Sequence, residues 1–261
     1  MPDRSGWDRQ PGFELAGRRA LVVGVETASG AAIARGLAQA GASVAAIATG
    51  GDPGTVSRLG TDLGAGSVTG VWDVTRSEAI EAGLAALSGG FGVPSVLVTA
   101  CDAYAAAPIE QTDDATYRRV MALVVDAPYF LCRAFLRALP AETANPRIIM
   151  VTNVFGERGI DNLSAYAAAQ GAVQNLVRAL AQELGARNGA TVNGIATGWM
   201  TDTPGRGPDE IGQNRLMRFV PMRRFGAADE VAPLAVLLAS AGAGYISGQI
   251  LHVDGGITTH L

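Results

Sequence analysis

Three residues carry most of the chemistry this chain can offer: Tyr166, Gln170 and Asn153. They fall within the stretch RIIMVTNVFGERGIDNLSAYAAAQGAVQ, Arg147 to Gln174. Ile148 to Val151 is short, apolar and β-branched, as a buried strand would be. A turn-rich loop with Glu157, Arg158, Gly159, Asp161 and Asn162 leads into an alanine-rich helix. Tyr166 and Gln170, four residues apart, share one face of that helix. A phenol near its ordinary pKa of about 10 is some three units from neutrality, so a phenolate at pH 7 costs roughly 4 kcal/mol. Neutral Gln170 offers no charge to offset that cost. A protonated Tyr166 remains a hydrogen-bond donor, and the Asn153 amide beside it would complete a two-donor cradle for a carbonyl or oxyanion. The plainer reading is that Asn153 satisfies backbone groups at a strand end, and that Tyr166 is a packing aromatic.

The rest of the chain alternates strands with helices. Arg19 to Gly24 reads as a strand, followed by a glycine-bearing turn and a helix from Gly30 to Ala40. Further strands are expected at Val44 to Ala48, Val68 to Trp72, Val96 to Val98, Thr191 to Ile195 and Gln249 to Val253. Helices are expected near Ser57 to Leu63, Glu78 to Leu87, Thr116 to Leu139, Ser164 to Arg187 and Asp229 to Ala239. This order predicts an α/β fold, a Rossmann-like doubly wound parallel sheet of about seven strands with helices on both faces. Residues 1–12 are polar and read as a flexible arm unless Trp7 docks, with one domain over residues 13–261. Residues 199–225 form an irregular excursion beyond a strand end, a lid-like segment carrying Trp199 and Met200 as candidate pocket residues.

Composition narrows the classes. The chain has 261 residues, 48% of them hydrophobic, enough for a large core in one domain. Its aromatic content of 6% and net charge of -4 argue against a nucleic-acid surface. Cys101 and Cys132 have neither metal nor disulfide spacing, so a reducing cytoplasm is expected. No apolar run reaches membrane-span length and the start lacks a signal pattern, so no membrane partner is expected.

These residues resemble the short-chain dehydrogenase/reductase family over almost the whole chain. The likeness rests on ALVVG...SGAAIARGLAQAGASV, WDV around Asp73, the Tyr166 segment, VNGIATGW and RRFGAADEVAPLAVLLAS...YISGQILHVDGG. It implies an NAD(P) cofactor and a tetrad of Asn, Ser, Tyr and Lys. Here Val124, Asn153, Tyr166 and Gln170 hold those positions, so only the tyrosine persists, and oxidation of an alcohol should be severely slowed. The family's Thr-Gly-x-x-x-Gly-x-Gly turn becomes Val23, Gly24, Val25, Glu26, Thr27, Ala28, Ser29 and Gly30. The outer glycines Gly24 and Gly30 survive, while Glu26 either opposes a phosphate or points to solvent.

Other cofactor contacts change too. Ala48 and Thr49 provide neither the acid nor the base that the resemblance places after the second strand. Asp73 matches an adenine-proximal aspartate, although a helix cap is the plainer reading. Asn-Asn-Ala-Gly becomes Thr99, Ala100, Cys101 and Asp102, and the nicotinamide-holding threonine becomes Asp202 between Thr201 and Thr203. The expectation is therefore no cofactor, with NAD(P) retained only if the degenerate site still binds. Arg206, Arg215, Arg218, Arg223 and Arg224 against Asp202, Asp209 and Glu210 suggest either a solvated face or a dock for a coenzyme A ester.

Three functions follow. The first is a non-catalytic or weakly catalytic subunit paired with an active NAD(P)-dependent alcohol dehydrogenase or ketoreductase paralogue. The resemblance places such homo- or hetero-oligomer contacts on helices 116–139 and 164–187 and on the C-terminal strand region. The second is a non-redox elimination, isomerisation or cyclisation using Tyr166 and Asn153. The third is an atypical NAD(P)-dependent oxidoreductase.

Overall fold

A computed structural model describes residues 13–51, 53–201 and 217–259. The arm with Trp7, and Asp202, Thr203, Arg206, Asp209, Glu210 and Arg215, lie outside the described residues.

Seven parallel strands form one sheet in the order β3-β2-β1-β4-β5-β6-β7. They are β1 (Arg19–Val23), β2 (Ser43–Ala48), β3 (Val68–Val71), β4 (Val96–Thr99), β5 (Arg147–Asn153), β6 (Thr191–Thr197) and β7 (Ile250–Val253). The described helices are α1 (Ala28–Gln39), α2 (Pro53–Asp62), α3 (Ser77–Gly90), α4 (Asp114–Met121), α5 (Ala127–Ala138), α6 (Ser164–Leu184) and α7 (Ala232–Ala239). The fold is the expected doubly wound α/β sheet.

Strand alternation sorts side chains onto two cores. Leu21 and Val23 of β1 join Ile80 and Leu84 of α3, Leu131 of α5 and Val173 of α6. Ala20 and Val22 face the other way, onto Ile33 and Leu37 of α1 and Leu238 of α7. The central strands are buried on both faces, which is why they read as unbroken apolar runs. Only the edge differs: Val68 and Val71 of β3 stay exposed.

One predicted helix is not continuous. The stretch expected from Thr116 to Leu139 is α4, a π-turn over Ala122–Asp126, then α5. Pro128 has no N–H to return to the Val124 carbonyl, and the wider turn absorbs that missing bond. The order of strands reverses between β1 and β4, so their carboxyl ends open a crevice. Asn153, Tyr166 and Gln170 converge there.

Candidate active site

The turn after β1 is built by close backbone approach. Gly24 has φ +97°, and a Cβ on it would lie 2.4 Å from the Ala100 carbonyl carbon. A Cβ on Gly30 would lie 2.3 Å from the Gly24 oxygen. Only glycine fits either place. Thr27 locks the turn: its hydroxyl donates to the Gly24 carbonyl at 2.8 Å and accepts from the Gly30 N–H at 3.0 Å, capping α1. The amides of Ala28 and Ser29, next in that first turn, find no acceptor among the described residues. Two free amides at the positive end of a helix form an anion seat.

This turn borders a cleft of about 530 Å³ lined also by Asp102, Tyr104, Arg119, Asn153, Tyr166, Gln170, Thr197 and Met200. The cleft is open rather than filled by its own side chains. Tyr166, Asn153, Gln170 and Met200 are thus brought together. Two other expected pocket residues are elsewhere: Val124 lies within the π-turn with its side chain in the core, and Trp199 packs edge-on against Phe155 with ring centroids 5.2 Å apart. Trp199 lines a separate hollow with His252, Arg224 and Asp254.

Gln170, in the family's lysine position, turns inward and is only 4% exposed. Its Oε1 accepts from the Thr152 hydroxyl at 2.7 Å and from the Asn153 N–H at 3.0 Å. That assignment turns its NH2 toward the cleft that Tyr166 also lines. Gln170 is therefore a bracket between β5 and α6.

Asn153 is engaged locally. Its Oδ1 accepts from the Phe155 N–H at 3.1 Å, its NH2 reaches the Thr197 hydroxyl at 3.5 Å, and its carbonyl accepts from Gln174 at 3.0 Å. This is the strand-end arrangement, and it draws the amide toward β6.

Tyr166 lies 3% exposed, edge-on to Tyr104 with centroids 5.2 Å apart. Asp102 lines the same cleft beside it. Burial pushes the phenol well above its ordinary range, and the Asp102 charge pushes the same way. A carboxylate therefore occupies the surroundings of the tyrosine in a chain whose family resemblance calls for a cation. Asp102 is the residue that sequence reasoning undervalued. Replacement of a glycine by an ionisable residue on the loop after β4 was the available signal.

Glu26 is exposed, as the plainer expectation had it, but its side chain is tethered. Its carboxylate accepts from the Thr49 N–H at 3.1 Å and from the Thr49 hydroxyl, so it reaches across to the end of β2. Asp73, by contrast, closes a local turn by accepting from the Thr75 N–H and hydroxyl, which lowers its pKa. The cap position of α3 belongs to Arg76, so the helix-cap reading fails by three residues.

The described arginines of the irregular segment are spent locally. Arg224 forms a two-pronged pair with Glu230 at 2.7 and 2.6 Å, holding that carboxyl down to about 2. Arg223 donates to the Arg218 carbonyl. Burial pushes the Cys101 thiol up and takes Cys132 to about 12, so both are packing residues. No helix among the described residues is long and apolar enough to cross a membrane.

A doubly wound parallel sheet with a glycine turn at β1 and a helix-borne tyrosine beside β5 defines a dinucleotide-binding class of oxidoreductase scaffold. The chain belongs to the short-chain dehydrogenase/reductase family: residues 24–258 match the family described as enoyl-(acyl carrier protein) reductase. It is 31% identical over 252 residues to a gluconate 5-dehydrogenase of Gluconobacter oxydans, covering 95% of this chain and 98% of that one. It is 36% identical over 255 residues to a galactitol 2-dehydrogenase (L-tagatose-forming) of Cereibacter sphaeroides, covering 94% and 97%. A gluconate 5-dehydrogenase from Burkholderia cenocepacia, solved with NADP and tartrate, superposes with a TM-score of 0.87 at 28% identity, covering 96% and 99%. The expectation of no cofactor gains no support from these relatives or from the closed glycine turn.

Proposed function

We propose that this chain is a short-chain dehydrogenase/reductase scaffold that still admits a nicotinamide nucleotide but is weakly catalytic or non-catalytic, acting as a subunit beside an active NAD(P)-dependent alcohol dehydrogenase or ketoreductase paralogue. One observation carries the reading: Tyr166 is buried in the cleft beside Asp102 and the neutral Gln170, where burial first and the Asp102 charge second push its phenol well above the ordinary range. A bound nucleotide would supply the hydride. Thr27, Ala28 and Ser29 would seat its pyrophosphate, while the phenolate needed to accept an alcohol's proton is opposed by a neighbouring negative charge. The assembly surface is supported by Tyr117 on α4 and Tyr129 on α5, 47% and 48% exposed on the helices where the family resemblance places subunit contacts.

A second reading is an atypical NAD(P)-dependent reductase. A protonated Tyr166 is the correct state for delivering a proton to a ketone during reduction, and the relatives are named as dehydrogenases and reductases. Non-redox chemistry by Tyr166 and Asn153 is the least favoured, because the Asn153 amide is committed to Phe155 and Thr197.

The test is calorimetric titration of the purified chain with NADH and NADPH, together with the subunit composition of the natively isolated complex. Nucleotide binding, no alcohol oxidation and a co-purifying paralogue are expected. Alcohol oxidation by the isolated chain at rates ordinary for enzymes, tens per second, would sink the proposal.

A further inference from the structure

The carboxyl end of β2 is where a doubly wound sheet meets the adenosine ribose of a dinucleotide. An acidic side chain there accepts the 2'- and 3'-hydroxyls, whereas a basic one receives a 2'-phosphate. The residues in this chain at that point, Ala48, Thr49, Gly50 and Gly51, carry no charge. Glu26 brings one from the neighbouring turn. Both its oxygens are fixed, Oε2 by the Thr49 N–H at 3.1 Å and Oε1 by the Thr49 hydroxyl, and each retains a lone pair. Swinging away would forfeit two hydrogen bonds.

We propose that Glu26 sets the nucleotide preference of this cleft: it accepts the ribose diol of NAD(H) from the glycine turn and repels the 2'-phosphate of NADP(H). This rests on the reading that the cleft binds a nicotinamide nucleotide. It runs against the Burkholderia cenocepacia relative, which was solved with NADP. A 2'-phosphate would bring about two negative charges against a carboxylate anchored at the same strand end. No basic side chain at residues 48–51 offsets them.

The experiment is calorimetry of NADH and NADPH binding to the full chain, wild type and Glu26→Gln, with Glu26→Ser as a second variant and thermal melting as a check on folding. Glu26 is exposed, so neither substitution opens the core. Wild type should bind NADH at least about tenfold tighter than NADPH, a ratio set by one close charge contact. Both variants should shrink the ratio by about tenfold, chiefly through a gain in NADPH affinity, and the wild-type ratio should fall as salt is raised. Equal or tighter NADPH binding by wild type, or a ratio unchanged in both variants, overturns the assignment alone. Absence of binding by either nucleotide in all three proteins overturns the cofactor reading beneath it as well.

Discussion

Replacing Asp102 by Asn should lower the pKa of Tyr166, which burial still holds above the ordinary tyrosine range. The phenol is 3% exposed and shares the cleft with the Asp102 carboxylate, so ionising it sets two negative charges near each other. Unit charges about 4 Å apart at an effective dielectric of about 20 repel by roughly 4 kcal/mol. Asp102 is itself exposed, and solvent screening cuts that repulsion to a fraction of this figure. The assay is phenolate absorbance against pH. Tyr104 is also raised, by burial and then by Asp102, so Tyr166→Phe must be subtracted in both backgrounds. In wild type the Tyr166 signal should come in well above the ordinary tyrosine range; in the variant it should come in at lower pH. Linkage gives a second readout. The folded pKa of Tyr166 exceeds the unfolded value of about 10, so its contribution to stability is complete below that pH and is lost as pH rises through the folded value. The loss should be smaller in Asp102→Asn. An unchanged Tyr166 titration would refute the reasoning, because it would mean that the carboxylate does not act on the phenol.

Other substitutions probe the frame. Gly24→Ala forces a side chain onto a backbone at φ +97° with the Ala100 carbonyl 2.4 Å away, and should cost more than about 2 kcal/mol in urea unfolding. A smaller loss would mean that the turn is looser than its geometry. Gln170→Lys removes the acceptor shared by the Thr152 hydroxyl and the Asn153 N–H, both buried. It should destabilise by about 1–3 kcal/mol per orphaned donor, read from the same unfolding curves.

The fold was legible because each layer repeats one signal. Runs such as Ala20 to Val23 and Val96 to Val98 are apolar on both faces, and intervening segments carry helical spacing, which only a covered parallel sheet reconciles. The break at Ala122–Asp126 was written in Pro128 but masked by the apolar periodicity on either side. The site was less legible, since its decisive pairs cross between elements. Glu26 meets Thr49 across 23 positions, and Gln170 meets Thr152 across 18. A sequence gives the residue types at such positions. It does not say whether Glu26 turns to solvent, to a phosphate or to the end of β2, because a long side chain chooses its partner after the strands have set the distances.

Two substitutions at the cleft belong to one electrostatic change. In the family the resemblance places a lysine at position 170 and a glycine at position 102, so the tyrosine has a cation beside it and no anion. This chain has a neutral amide and a carboxylate. Coulomb potentials superpose, so a lysine at position 170 and the loss of the carboxylate at position 102 act on the phenol in the same direction. Gln170→Lys with Asp102→Gly should therefore lower the Tyr166 pKa further than either change alone. A double variant that titrates no lower than Asp102→Gly alone would mean that the charge at position 170 does not reach the phenol. The proposed impairment would then have to be traced to Val124, at the position where the family resemblance places an asparagine.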